Sequence, residues 1–268
     1  MRRIKKYLPF FRASIMQMFI YRGTIWLWLM VDVFQFAMMV FLWKSVYQYN
    51  DSISGFTFNQ MLVYFLATNL FFIFTDLDTV WAMSEEIKEG RISLYMVKPI
   101  SYKIRLVFEV FGRAIGVLIL LLPVVLATGA VITFVFDIIW TISIVDILLS
   151  ILFIPLMLLL MFEFAFFFGT LVIYTNNEFG LVIFMSVFIR IVSGQLIPIA
   201  LYPAFLQQMV SWMPFRFISY PPLILIGKIS NSEGLIGLGM LLIWVILFKV
   251  INHFMYRFSV KKMVVFGG

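Results

Sequence analysis

Cysteine is absent from this sequence of 268 residues, and histidine occurs once. There is therefore no disulfide framework, no thiolate metal site and no thiol catalysis. The single His253, near the C-terminal end of the last apolar run, reads as an interfacial histidine. Charge is also scarce: Asp, Glu, Lys and Arg make up 12% of the chain, against 63% hydrophobic residues. A water-exposed surface cannot be covered from so small a polar share, so the surrounding medium must be lipid. No stretch is polar enough to form a separate soluble domain, and residues 1–268 read as one transmembrane domain. Catalytic signatures are missing too. The fragment IGKIS at 226–230 lacks the upstream glycine spacing of a phosphate-cradling loop. Nor is there an HExxH, a GxSxG between strand and helix, or a His cluster. The chain is not expected to be an enzyme or to hydrolyse ATP by itself.

What is present is a set of long apolar runs flanked by basic residues. A hydrocarbon core of about 30 Å needs about 20 helical residues. Runs at 23–47, 58–80, 106–136, 147–174, from 179 onward, and 234–256 qualify, giving an all-α polytopic protein with six transmembrane helices. Thirty-two Phe, seven Trp and eleven Tyr suit such an environment. The net charge of +7 could indicate nucleic acid, but the basic residues flank apolar runs instead of interleaving with aromatics, which speaks against it. With the N-terminus inside, Arg2, Arg3, Lys5, Lys6, Arg12, Arg22, then Lys88, Arg91, Lys98, Lys103, Arg105 and Arg113 in or beside the second-to-third loop, and Arg257, Lys261 and Lys262 all fall on the cytoplasmic side. Only Lys44, Arg190, Arg216 and Lys228 fall outside, so the positive-inside rule predicts a cell-membrane protein with both termini cytoplasmic. Residues 1–22 begin like a signal peptide, but Arg12 and Arg22 interrupt the apolar stretch. With Leu8, Phe11, Ile15, Met18 and Phe19 on one face, they read as an interfacial amphipathic helix retained in the mature protein.

Five of the nine prolines, Pro198, Pro203, Pro214, Pro221 and Pro222, lie between 193 and 232. Proline breaks helical continuity, and backbone left unpaired at membrane depth must be sheltered by protein or by a wet cavity. Residues 195–225 are accordingly expected to form short re-entrant helices at the outer side. The alternative is an ordinary loop lying at the interface.

Ionisable groups inside apolar runs each cost ~2.5–3.5 kcal/mol when unpaired at mid-bilayer, and so point to function. They are Asp32, Glu109, Arg113, Glu163, Arg190 and Lys249. Glu109 and Arg113, four residues apart on a helix, can neutralise one another. Asp32 and Glu163 have no partner nearby in sequence, and either could line a polar pathway or pair with a base on another span. The stretch SEEIKEGRISLYMVKPISYKIR, 84–105, carries eight of the chain's thirty-three charged residues. It reads as a helical continuation of the second span, with Val80, Met83 and Ile87 on one face and Glu85, Glu86 and Glu89 turned outward. Gly90 then provides a stop, and a short helix or turn follows before Pro99. A solvated loop would not require the glutamates or the apolar residues between them, whereas a docking surface for a soluble partner accounts for both.

The order EEIKEGRISLYMVKPIS after the second span, six spans in all, and SGQLIPIALYPAFLQQMVSWMPFRFISYPP before the last resemble the permease subunits of type-2 ATP-binding-cassette exporters. The resemblance covers the whole chain. It implies one of two membrane halves, identical or related, each seated on a separate ATPase subunit that supplies ATP and Mg chemistry while this chain carries no cofactor. It maps the coupling segment onto 84–101, with Glu85, Glu86, Ile87, Glu89, Gly90, Arg91, Leu94, Lys98 and Pro99, assisted by the N-terminal helix. It maps the outer gate onto Gly194, Pro198, Pro203, Pro214 and Phe215. Asp32, Glu163 and Arg190 are the expected polar groups of the translocation pathway. An ATP-independent secondary transporter or channel is the alternative, though no convincing internal repeat supports one. A lipid-acting enzyme would need Asp76, Asp78 and Glu163 together with a metal.

Overall fold

The computed structural model describes residues 2–75, 77–175 and 178–266. After a single turn α1 (Arg2–Lys5), α2 (Leu8–Ile20) starts with proline in its first turn and runs almost directly into α3 (Arg22–Val46). A hairpin of β1 (Ser52–Ile53) and β2 (Phe56–Thr57) follows, with Ser52 opposite Thr57. Its two turn residues, Ser54 and Gly55, both take positive φ (48° and 79°), which is the twist a two-residue hairpin demands. The chain continues through α4 (Phe58–Phe72), α5 (Asp78–Lys88), α6 (Ile92–Val97), α7 (Tyr102–Phe136), α8 (Ile144–Thr175) and α9 (Glu178–Val192). The short helices α10 (Ala204–Ser211) and α11 (Tyr220–Leu225) precede α12 (Asn231–Phe266).

Polar chemistry at the helix starts explains where several of these elements begin. Thr57 and Gln60 exchange side-chain and backbone hydrogen bonds at the start of α4 (3.3 and 3.2 Å). Ser143 and Asp146 do the same for α8 (3.1 and 2.9 Å), and Ser230 and Glu233 for α12 (3.3 and 3.1 Å). Each reciprocal pair satisfies two amides that the helix itself leaves open.

Among the described residues, five segments are long and apolar enough to cross a membrane: 22–49, 58–88, 102–136, 144–172 and 231–259. The run expected from 179 onward is α9, which has only 15 residues and ends at Val192. At 1.5 Å per residue it is about 22 Å long, shorter than the hydrocarbon core. The second span is also not continuous. Its helix stops at Phe72, and Thr75 donates its hydroxyl to the Phe72 carbonyl (2.7 Å), an alternative to continuing the helical ladder. The helix resumes at Asp78, while Asp76 lies outside the described residues.

α8 is the central pillar, with Phe153, Met157, Leu160, Met161, Phe162, Ala165 and Phe166 all buried, and α12 and α5 pack along it. A second core surrounds α4, whose residues Met61 through Thr68 are all buried. α3 joins this core through buried Phe36 and Trp43 with Met39 and Val40 half-buried beside them, Leu29 is its one other buried residue, and much of its remaining surface is open. α2 packs along the first half of α7 instead of lying free against lipid. Phe11, Ile15 and Met18 face α7 as the apolar pattern predicts, but Leu8 and Phe19 remain exposed. The approach depends on Gly112 and Gly116, a small-residue pair four apart. A Cβ on Gly112 would overlap the Phe11 carbonyl oxygen, and one on Gly116 would sit 2.8 Å from Met18 Cγ.

Gly112→Leu is therefore expected to push α2 off α7 and cost about 1–3 kcal/mol, read as a lowered melting temperature of the detergent-solubilised chain. Gly239→Ala, where a Cβ meets nothing within 4 Å, should leave the melt unchanged.

Candidate functional site

The charged stretch folds as two short helices around a sharp turn. α5 ends at Lys88, Gly90 takes φ 69°, a conformation side chains disfavour, and α6 ends before Lys98–Pro99. Val80 and Met83 are buried and Ile87 is half-buried, as the apolar spacing predicts. Glu86, expected to face outward, instead turns in and is 7% exposed. The reason is Arg105 on α7, whose Nη2 lies 2.7 Å from Glu86 Oε2, while the Tyr102 hydroxyl donates to the same oxygen at 2.7 Å. Arg105 itself is 3% exposed. Its Nη1 reaches Glu109 at 3.3 Å, and its guanidinium stacks 3.9 Å from the ring centroid of Tyr95 on α6. Tyr102 in turn stacks on Tyr256 of α12, with ring planes 4° apart.

One buried cation thus joins α5, α6 and α7, and an aromatic stack extends the join to α12. The N-terminal segment closes it from the other side. Ser101 N–H donates to the Tyr7 hydroxyl at 2.8 Å, and Lys6 Nζ donates to the Pro99 carbonyl. Outward, Glu85, Glu89, Leu94, Val97, Lys98 and Pro99 are exposed, Val97 by 83%. Arg91 bridges Glu85 (2.9 Å) and Glu89 across the turn, but exposed pairs of this kind contribute little to stability. Lys88 donates to both carboxylate oxygens of Glu178 at 2.6 Å, tying α5 to the start of α9.

A second feature lies between the helices. α3, α4, α7 and α9 border a half-open cavity of about 340 Å³ whose wall holds Asp32, Gln35, Asn69, Thr128, Arg190 and Gln195 among apolar side chains. Arg190 lies 5.2 Å from the ring centroid of Phe72 and shares the cavity wall with Asp32. Gln195 Oε1 is buried without a hydrogen-bond partner among the described residues.

The model of the ABC-2 family transporter proteins matches residues 33–267, which include the α5–Gly90–α6 segment and the cavity wall apart from its α3 residues up to Asp32. The chain belongs to the ABC-2 family of transporter proteins. No curated protein matches it. The family and the five long apolar helices make it a multi-pass membrane protein.

In this ABC-2 chain the three polar groups expected in the pathway do not converge. Asp32 and Arg190 share the cavity, but Glu163 is 4% exposed in a separate cluster. The partners it lacks in sequence come from other helices: Lys103 of α7 at 2.6 Å and Asn252 of α12 at 2.7 Å. Glu109 pairs with Arg105, one turn before it, at 3.3 Å. Arg113 approaches Asp78 of α5 at 3.6 Å. Asp78 and Glu163, two of the three carboxylates a lipid-acting enzyme would need, are each held by a different cation.

The residues assigned to an outer gate lie around the turn after α9. Gly194 has φ 78°, its carbonyl accepts from the Tyr64 hydroxyl at 2.7 Å, and Pro198 is buried beside it. Pro203, exposed, starts α10. Pro214 and Phe215 are buried, and Phe215 makes edge contacts with Phe164 (4.7 Å) and Phe188 (5.8 Å). Sequence reasoning missed Arg105, Tyr102, Tyr95 and Tyr7. Only the four-residue spacing of Arg105 and Glu109 could have signalled any of them.

Removing Arg105 leaves buried Glu86 without its cation, so Arg105→Ala is expected to destabilise by ~3–5 kcal/mol. Glu86→Gln combined with Arg105→Met should recover most of that loss, both read by thermal melts in detergent. At the surface, the Lys88 hydrogen bond holds the Glu178 carboxyl below its ordinary value of 4.5. The stabilisation from that contact is full above the ordinary carboxylate range and is lost as pH falls through the depressed value. Hydrogen exchange of the first turn of α9 should accelerate over that acidic window, and no such acceleration is expected in Glu178→Gln.

Proposed function

We propose that the chain is the membrane-spanning half of an ATP-driven exporter, forming a pathway with a second permease and seated on separate ATPase subunits that bind ATP and Mg. The observation that carries this reading is the α5–Gly90–α6 segment, anchored from within by Arg105 and from the side by Tyr7, with its charged and apolar residues open to a partner. A surface that receives force must be rigid behind and free in front, and this segment meets both requirements. In this reading 84–101 faces the cytoplasm, both termini lie on that side, and the turn after α9 forms part of the outer gate.

α7 offers a route for the force. It carries Arg105 near one end and Thr128 at the cavity wall, 23 residues later and about 35 Å along the helix, with Pro123 inside it just before the wall. When the ATPase pair closes on ATP, α6 is pushed, and Tyr95 passes the load to Arg105 and so to α7. The wall of the cavity holding Asp32 and Arg190 then shifts against α3. The opposite charges and unpaired Gln195 acceptor of that cavity suit a cargo with polar groups on an apolar body.

The test is co-purification and coupling. A stoichiometric soluble ATPase is expected to accompany the chain. Glu89→Lys and Gly90→Pro should abolish stimulation of that ATPase by transport while membrane insertion stays intact, since proline cannot adopt the positive φ of position 90. Transport by the purified chain alone, or wild-type coupling in both variants, would overturn the proposal.

A further inference from the structure

Lys249 lies within the apolar helix α12, and no hydrogen bond or ion pair reaches it among the described residues. Its position is costly. A lysine inside a span must pair, reach water or meet an anion, yet the charged side chain that lines the same hollow is another cation, Lys103 of α7. The one carboxylate in the cluster, Glu163, is already engaged by Lys103 and Asn252. Two ammonium groups and one carboxylate leave a net positive charge beside lipid.

These groups border a hollow of about 740 Å³ between the start of α7 and one face of α12. Lys249, Asn252, His253 and Tyr256, at successive spacings of three, one and three, form a polar stripe on that face of an otherwise apolar helix. Ser101, Tyr102 and Lys103 bring the N-terminal end of the 35-residue α7 to the other wall, and a helix N-terminus favours negative charge. A further observation points to a ligand. Asn252 is 1% exposed and its Nδ2 is fixed, donating to both the Glu163 carbonyl and its carboxylate at 2.7 Å. Its Oδ1 is therefore the free atom, an acceptor buried without a partner at the edge of the hollow. Phe254 and Val250 extend an apolar wall from the same site.

We infer that this hollow binds the headgroup of an anionic phospholipid that carries hydroxyls, of the phosphatidylglycerol type. The phosphodiester sits between Lys103 and Lys249 at the N-terminus of α7, a headgroup hydroxyl donates to Asn252 Oδ1, and the acyl chains follow the apolar wall of α12. Basic pockets between helices near a membrane face are a recognised way of holding such headgroups. The inference needs only the chain in a bilayer and is independent of any ATPase.

The test uses the full chain in detergent, titrated with phosphatidylglycerol or with phosphatidylcholine of the same acyl chains and read by native mass spectrometry. Phosphatidylglycerol should be retained at least fivefold better. Lys249→Gln, at an exposed position, should weaken that retention about fivefold, the ratio equivalent to ~1 kcal/mol for one lysine beside an anionic lipid. Lys249→Arg should preserve it, and phosphatidylcholine binding should not change in either variant. Phosphatidylmethanol, which keeps the charge but lacks the hydroxyls, should bind more weakly than phosphatidylglycerol. Equal retention of the two lipids, or unchanged phosphatidylglycerol binding in Lys249→Gln with a wild-type melt, would overturn the site. Displacement of the lipid by millimolar inorganic phosphate would assign the site to a free anion and overturn the lipid assignment.

Discussion

A guanidinium with almost no access to solvent organises one end of this protein. Arg105 keeps its charge wherever it sits, so its burial among aromatic rings requires Glu86 and Glu109, and buried Glu86 requires it in turn. That mutual dependence has a geometric consequence. Glu86 fixes the rotation of α5, Tyr95 fixes the distance of α6, and both are measured from the same side chain on α7. The segment between α4 and α7 therefore follows α7 as one piece, although its outer surface carries little that would hold it in place. A neutral core of the same volume would pack as well, but it would not specify one rotation of α5 against α7.

The membrane-spanning architecture was largely legible in the sequence because lipid imposes a simple demand, a run of about 20 apolar residues. α3, α7, α8 and α12 follow that demand, and the polar segment with Gly90 stands out against it. Legibility failed where tertiary contacts override local pattern. After Phe72 the helix tightens into a 3-10 turn at Ile73–Thr75, and nothing in the apolar run announces it. Glu86 was assigned outward because its apolar neighbours define one face of α5, and the pull inward comes from a residue 19 positions later. Glu163 looked unpaired for the same reason, since Lys103 and Asn252 are 60 and 89 positions away. Apolar periodicity locates helices and their greasy faces but says nothing about buried charges neutralised across helices. Asp32 and Arg190 were singled out for their charge alone, and their meeting at one cavity depends on how α3 and the end of α9 are placed across it.

The two polar clusters near the start of α7 divide the work of that helix end. The Arg105 cluster is closed, with each charge answered by another. The Lys103 cluster is open, with one cation more than its carboxylate can answer and one amide oxygen left over. Two residues along the same helix thus face environments of opposite character, one complete within the chain and one awaiting something from outside it.

α3 fully buries only Leu29, Phe36 and Trp43, with Met39 and Val40 half-buried between the last two. A helix held by so narrow a face has few contacts to lose when it turns against its neighbours. Asp32 sits between the first two of these residues and turns with the helix. A small roll of α3 would change both the width of the cavity and the direction in which its carboxylate points, without unpacking the core around α4. The wall most able to move is therefore the one that carries the negative charge.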